Sequence, residues 1–283
     1  MQFILVLLIS VIPIFSLCAY IYHEDRYEKE SIPFLTLLFG VGILCATCSV
    51  FVENTGILFL NKVFSRHMII SFNEITFATQ ISEYTYNFIY SFLFCSAIDI
   101  ILAIAALFIF TYKNKNFNSL FDGIVYAVYI MMGVSLAEIL FFGYNKGWDL
   151  VALKCLLTIP LRMFTGVIIG YLYSILKIKH LIYTKEKILN STGKLNIIPI
   201  FKKYRTTIIM FFFPWLLNGI YEFSTLMNTY LWRYLYYIVL IGMYFYCIKK
   251  ITHASNNDDL FTNIVRKAVL DKHTTLTVED YEQ

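Results

Sequence analysis

Long apolar stretches divide this chain, and most of them are long enough to cross a lipid bilayer as helices. Hydrophobic residues make up 59% of its 283 residues and charged residues 15%, whereas a soluble domain carries about 25% charged residues. The sequence therefore predicts an all-α polytopic membrane protein. We expect about seven spans, over residues 3–22, 34–52, 87–112, 121–143, 150–176, 206–226 and 231–248.

Lysine and arginine are distributed unevenly between these spans. Four of the intervening or terminal segments hold 17 of them and the opposite side holds four; the basic segments are residues 23–32, 113–121, 177–205 and 249–283. The positive-inside rule then predicts an N-terminus outside and a cytoplasmic C-terminus. We interpret residues 53–86 as an extramembrane loop with short interfacial helices, and 177–205 as a basic loop.

We divide the chain into a transmembrane domain, residues 1–250, and a cytoplasmic tail, residues 251–283. Leu260, Ile264, Ala268 and Val269 have a spacing in the tail that predicts a short amphipathic helix. The basic residues form no continuous stripe that could follow a phosphate backbone, which argues against nucleic acid as a partner. The lipid bilayer is the partner that the composition itself implies.

The cysteines and histidines predict no metal site. Every cysteine lies within or at the end of an apolar segment, where a thiol behaves as a small hydrophobe. Cys45 and Cys48 form a C-x-x-C pattern, but no second pair of cysteines or loop histidines completes a zinc site. All five histidines lie outside the predicted spans.

A few charged side chains fall inside the predicted spans, where each costs about 2.5 to 3.5 kcal/mol on insertion scales. Glu138 ends the apolar run that begins at Phe121, and Asp99 lies near the middle of the third span. Arg162 interrupts the fifth span. Glu138 and Arg162 have two interpretations. In the first, Arg162 forms an ion pair with Glu138 or with Asp99, the other acid available to it. In the second, the side chains of Glu138 and Arg162 snorkel to the membrane interface.

Four segments carry a family resemblance. In chain order they are YIYHEDRYEKE, NFNSLFDGIVY leading into GVSLAE, FTGVIIGYL and PWLLNGIYEF. Their order and spacing resemble the PrsW family of intramembrane proteases along most of the chain, from about residue 10 to 230. The resemblance implies a multi-pass protein of the bacterial cytoplasmic membrane.

The resemblance also implies where the family's site should fall. Members carry Glu-Glu-x-x-Lys on the third span, a glutamate on the fourth, and one histidine on each of the fifth and sixth, thought to hold a metal or to activate water. By spacing these positions fall on Asp99, Glu138, Arg162 and Asn218, with Glu222 four residues after Asn218. A competing alignment places the first motif at Ser82 and Glu83, but it lengthens the following segment by about 17 residues.

The departures from the family pattern affect the chemistry. The second glutamate and the lysine of the first motif are replaced by Ile100 and Ala103, and neither histidine is kept. A water-activating zinc site needs about three protein ligands, usually with imidazole or thiolate among them. Arginine neither ligates a metal nor acts as a base. We therefore expect no metal and no cofactor, with zinc possible only if the chain is an active enzyme.

Two functions remain open. The first is a pseudoprotease that recognises a transmembrane or membrane-anchored protein. The second is an intramembrane endopeptidase that uses the remaining carboxylates, Asp99, Glu138 and Glu222, without a metal. The sequence leaves open whether the chain is an enzyme, and it leaves open the oligomeric state.

Overall fold

The computed structural model describes residues 2–25, 28–65, 83–146, 151–195, 204–227, 230–256, 259–273 and 281. Over these residues the chain is helical, and its β-structure is limited to an isolated bridge between Ser119 and Leu260. The helices are α1 (Gln2–Glu24), α2 (Ile32–Ser65), α3 (Glu83–Thr111), α4 (Leu120–Lys146), α5 (Val151–Ser191), α6 (Tyr204–Met227), α7 (Tyr230–Asn256) and α8 (Phe261–Lys272). The predicted all-α membrane architecture is therefore confirmed.

In the described part of the chain, six helices are long and apolar enough to cross a membrane, namely α2 to α7. The apolar part of α1 that qualifies by composition, Leu8–Glu24, is shorter. A multi-pass membrane protein follows from these lengths. The count of seven spans and the sidedness of the termini stay predictions.

The sidedness can be measured. We expect a reporter domain inserted at Gly193, an exposed turn residue after α5, to read cytoplasmic. A reporter inserted within residues 66–82 should read extracytoplasmic, because the segments on that side carry few lysines and arginines. An extracytoplasmic signal from the insertion at Gly193 would reverse the predicted orientation.

Two helices extend beyond the predicted spans, and both corrections have the same cause. The predicted loop 53–86 is wrong at its start, since α2 continues to Ser65, and residues 66–82 lie outside the described part. The basic loop predicted from residue 177 is wrong as well, because α5 continues to Ser191. Polar residues can continue a helix, so the end of an apolar stretch does not mark the end of the helix.

Helix α4 lies at the centre of the bundle and packs against α1, α2, α3 and α5. Its residues 121–128 are all buried. It begins with an aspartate variant of the capping box: the Ser119 backbone N–H donates to the Asp122 carboxylate (2.8 Å), and the Asp122 backbone N–H donates to Ser119 Oγ (3.3 Å). The start of this helix next to the predicted boundary at residue 121 therefore has a hydrogen-bonding cause.

Glycines allow α4 to approach its neighbours closely. A Cβ atom on Gly170 of α5 would overlap the backbone of Gly123 and Ile124 in α4. We expect Gly170→Ala to lower the free energy of unfolding by about 1 to 3 kcal/mol, the usual cost of overpacking. The measurement is thermal unfolding in detergent micelles. Gly40→Ala is the matched control, because a Cβ on Gly40 would meet nothing within 4 Å, and there we expect no loss. Equal effects of the two changes would contradict the packing argument.

The basic segments meet at one end of the bundle, which we call the basic end. Asn118 Nδ2 donates to Glu28 (2.9 Å), Ser255 Oγ donates to the backbone oxygen of Glu24 (2.8 Å), and Lys177 Nζ donates to the backbone oxygen of Phe117 (2.8 Å). These contacts join the first, second and third basic segments to the end of α7. The predicted grouping of these segments on one side agrees with the structure.

The amphipathic tail helix predicted from Leu260 onward is present as α8. Its buried side chains are Phe261, Val265 and Val269. The backbone N–H of Phe261 donates to the backbone oxygen of Asn118 (2.7 Å), and Lys272 Nζ donates to Glu186 of α5 (2.7 Å). Helix α8 thus covers the basic end, where α5 and the segment before α4 come together.

Candidate functional site

A buried guanidinium joins three helices. Arg162 of α5 has a side chain that is 1% exposed. Its Nε donates to Glu138 Oε2 at 3.0 Å, and its Nη2 donates both to Glu138 Oε1 and, at 2.5 Å, to Asp99 Oδ2. Glu138 lies on α4 and Asp99 on α3, so a single cation binds carboxylates from two neighbouring helices. Arg162 therefore contacts both of the acids considered as its partners, and its side chain ends inside the bundle.

Asp99 is positioned by an unusual stretch of α3. Residues Tyr90–Ser96 form π-helical turns, which in proteins are frequent at functional sites. Two hydrogen bonds fasten this stretch to α6: Ser96 Oγ donates to the backbone oxygen of Trp215, and Trp215 Nε1 donates to the backbone oxygen of Phe92 at 2.6 Å. Asp99 follows about one turn later and faces the interior.

Sequence reasoning missed a further carboxylate. Glu53 was assigned to a loop, but it lies in the middle of α2 and is only partly exposed. Ser49 Oγ donates to its carboxylate at 3.2 Å, and Glu53 interacts electrostatically with Asp99, Glu138 and Glu222. The signal that could have found it is the apolar run at residues 57–60, which shows that the helix continues past Glu53.

A second cation lies on α5. Lys154 interacts electrostatically with Glu138 and with Glu222 of α6, and its Nζ lies 4.9 Å from the centre of the Phe142 ring. The hydroxyl groups of Thr158 and Tyr221 are 2.7 Å apart and join the same two helices. Sequence reasoning missed Lys154 because it lies near the start of the predicted span 150–176, whose residues are otherwise mostly apolar.

Asn218, which the family resemblance predicts at the position of the second histidine, is fully buried on α6. Neither atom of its side-chain amide has a hydrogen-bond partner among the residues that the structure describes. Inside the same site, Asp99 Oδ1 and Arg162 Nη1 also lack one within the described part. Asn218 and Glu222 are four residues apart, so they lie on the same face of α6. The competing position Glu83 is exposed at the first residue of α3, and Ser82 lies outside the described residues.

The donor set does not fit a catalytic zinc ion. Over the described part of the chain, no three histidine, cysteine, aspartate or glutamate side chains converge in a geometry that could hold a metal. Arg162 already occupies three of the four carboxylate oxygens of Asp99 and Glu138. A catalytic zinc site also needs imidazole or thiolate ligands in most proteins, and the family resemblance predicts Arg162 and Asn218 at the two histidine positions.

Two proteins of known family resemble the chain over most of its length. The chain is 21% identical over 245 residues to the protein named protease PrsW of Geobacillus kaustophilus. The aligned residues make up 87% of this chain and 90% of that protein. It is 23% identical over 238 residues to protease PrsW of Clostridioides difficile, covering 83% of this chain and 84% of that protein. No protein-family model matches the chain, and no solved structure matches it.

Proposed function

We propose that this chain is a divergent member of the PrsW family, which it resembles over most of its length. We propose further that it acts as a pseudoprotease, which binds or regulates a transmembrane or membrane-anchored protein without cleaving it. The family relationship supports a multi-pass membrane protein that handles other membrane proteins. The loss of cleavage is inferred from the side chains at the family's site.

The observation that carries the proposal is the ion pair made by Arg162. A general base must accept a proton from water, and a carboxylate pair that activates water must share a proton between its members. Arg162 carries a permanent positive charge and hydrogen-bonds to both Asp99 and Glu138. The two acids therefore neutralise a buried cation and are poorly placed to pass a proton between them.

A second candidate function is supported by the carboxylates that Arg162 does not bind. Glu53 and Glu222 interact electrostatically with one another across α2 and α6. Two acids in such an arrangement can divide the roles of general acid and general base. The chain would then be an intramembrane endopeptidase that uses Glu222 and Glu53 as its general acid and general base. Asp99 and Glu138 would have a structural role, as partners of Arg162.

Cleavage of a membrane-anchored reporter in reconstituted vesicles separates the two candidates. We expect the wild-type chain to bind the reporter and to leave it intact. The control is Glu222→Gln, which keeps the size of the side chain and removes its charge. Cleavage by the wild-type chain that disappears in a folded Glu222→Gln variant would replace the pseudoprotease proposal by the peptidase.

A further inference from the structure

Helix α3 holds one residue more in its π-helical stretch, Tyr90–Ser96, than an α-helix would hold there. The backbone oxygen of Phe92 accepts the N–H of Ala97, five residues later. In an α-helix the same oxygen would accept from Ser96, four residues later. The extra residue therefore shifts every following residue of α3, Asp99 among them, by one position.

This shift decides which side chain of α3 faces Arg162. One position along an α-helix corresponds to a rise of about 1.5 Å and a rotation of about 100°. If the π-helical stretch became α-helical while its beginning stayed in place, Ile98 would take the position of Asp99. Arg162 would then keep its bonds to Glu138 and lose its bond to Asp99.

Helix α6 fits the π-helical stretch, which packs against it more extensively than against the other described helices. Trp215 Nε1 donates to the backbone oxygen of Phe92 at 2.6 Å, and Ser96 Oγ donates to the backbone oxygen of Trp215. Gly219 leaves room for the Phe92 ring, because a Cβ atom at this glycine would overlap the ring. These contacts all involve the turn that holds the extra residue.

We propose that Trp215 is a positioning residue, which holds α3 in the register that places Asp99 on Arg162. Its indole binds Phe92 at the beginning of the turn, and its backbone oxygen binds Ser96 at the end. An α-helical turn would move Ser96 by one position relative to Phe92, so both bonds form together only around the extra residue. This inference goes beyond the proposed function, because it applies to a pseudoprotease and to a peptidase alike.

The test removes both bonds by combining Ser96→Ala with Trp215→Phe, which keeps an aromatic ring at position 215. Each lost bond should lower the Tm of the full chain in detergent micelles by about 2 to 4 °C. In the wild-type background, the Tm shifts of Arg162→Leu and Asp99→Asn should be non-additive. In the Ser96→Ala/Trp215→Phe background they should add, because Asp99 no longer reaches Arg162.

Two controls accompany this measurement. The Tm shifts of Arg162→Leu and Glu138→Gln should stay non-additive in both backgrounds, because Glu138 lies on α4. Ser91→Ala should leave both results unchanged, since Ser91 is fully buried in the same stretch and its hydroxyl has no hydrogen-bond partner among the described residues. Non-additive shifts for Asp99 that survive the loss of both bonds to Trp215 would overturn the inference.

A deletion separates the register of α3 from other effects on folding. Leu93 is 57% exposed, and deleting it makes Ala97 the fourth residue after Phe92, so the turn becomes α-helical with Asp99 in place. In the Ser96→Ala/Trp215→Phe background we expect this deletion to raise the Tm and to restore the non-additivity of Asp99 and Arg162.

Deleting Ile101 is the matched control for the deletion of Leu93. Ile101 is 49% exposed and lies in the α-helical part of α3, so its removal should rescue neither property. If the chain without Leu93 stayed unfolded, or if Asp99 and Arg162 remained uncoupled in it, Trp215 would not act through the register and the inference would be wrong.

Discussion

Replacing Arg162 by leucine is expected to lower the free energy of unfolding by about 3 to 5 kcal/mol, because the change leaves two buried carboxylates without their cation. The physical reason lies in the three hydrogen bonds from Arg162 to Asp99 and Glu138, which a leucine cannot make. The measurement is denaturant or thermal unfolding in detergent micelles, followed by circular dichroism.

A double-mutant cycle shows whether the loss comes from stranded charge. Arg162→Leu combined with Glu138→Gln, and separately with Asp99→Asn, should cost less than the sum of the single changes. We expect coupling energies within the range of about 0.5 to 3 kcal/mol that is usual for contacting residues. Additive effects in both cycles would contradict the ion pair as the source of stability.

The second large effect is expected at the basic end. Phe261 of α8 is 3% exposed, and its ring centre lies 5.3 Å from that of Phe117. We expect Phe261→Ala to cost about 3 kcal/mol, because truncating a buried phenylalanine loses its transfer free energy and leaves a cavity. The same unfolding measurement applies.

The control for this change lies on the opposite face of α8. Lys267 is exposed, and Lys267→Ala should alter the stability by less than about 0.5 kcal/mol, as is usual for surface positions. If Phe261→Ala were equally silent, α8 would contribute little to the stability of the bundle.

The sequence predicted most helices because their apolar stretches are long, but it predicted their ends poorly. Apolar content reports where the chain lies in lipid, and Glu53 begins the stretch Glu-Asn-Thr-Gly, a combination typical of loops, although the apolar run at residues 57–60 follows it. The residue was therefore assigned to a connection. Only the structure of the complete helix α2 shows that Glu53 interacts with the acidic residues of the site.

The contacts of Arg162 could be predicted only in part. Its depth in a span implied a carboxylate partner, but a sequence does not say how helices are arranged around one another. The two acids that it might pair with were therefore alternatives, and the structure shows that one guanidinium reaches both Glu138 and Asp99. The π-helical turns at Tyr90–Ser96, which precede Asp99, have no signal in the composition of that segment.

Helix α8 also has a consequence for the order in which the protein is built. It is made after all the candidate spans, yet it packs on Phe117 and Asn118, which precede α4 and are synthesised more than a hundred residues earlier. The ring centre of Phe117 also lies 3.8 Å from the Lys177 ammonium group, in the second half of α5. Helix α8 can cover this surface only after residues 261–272 have been synthesised.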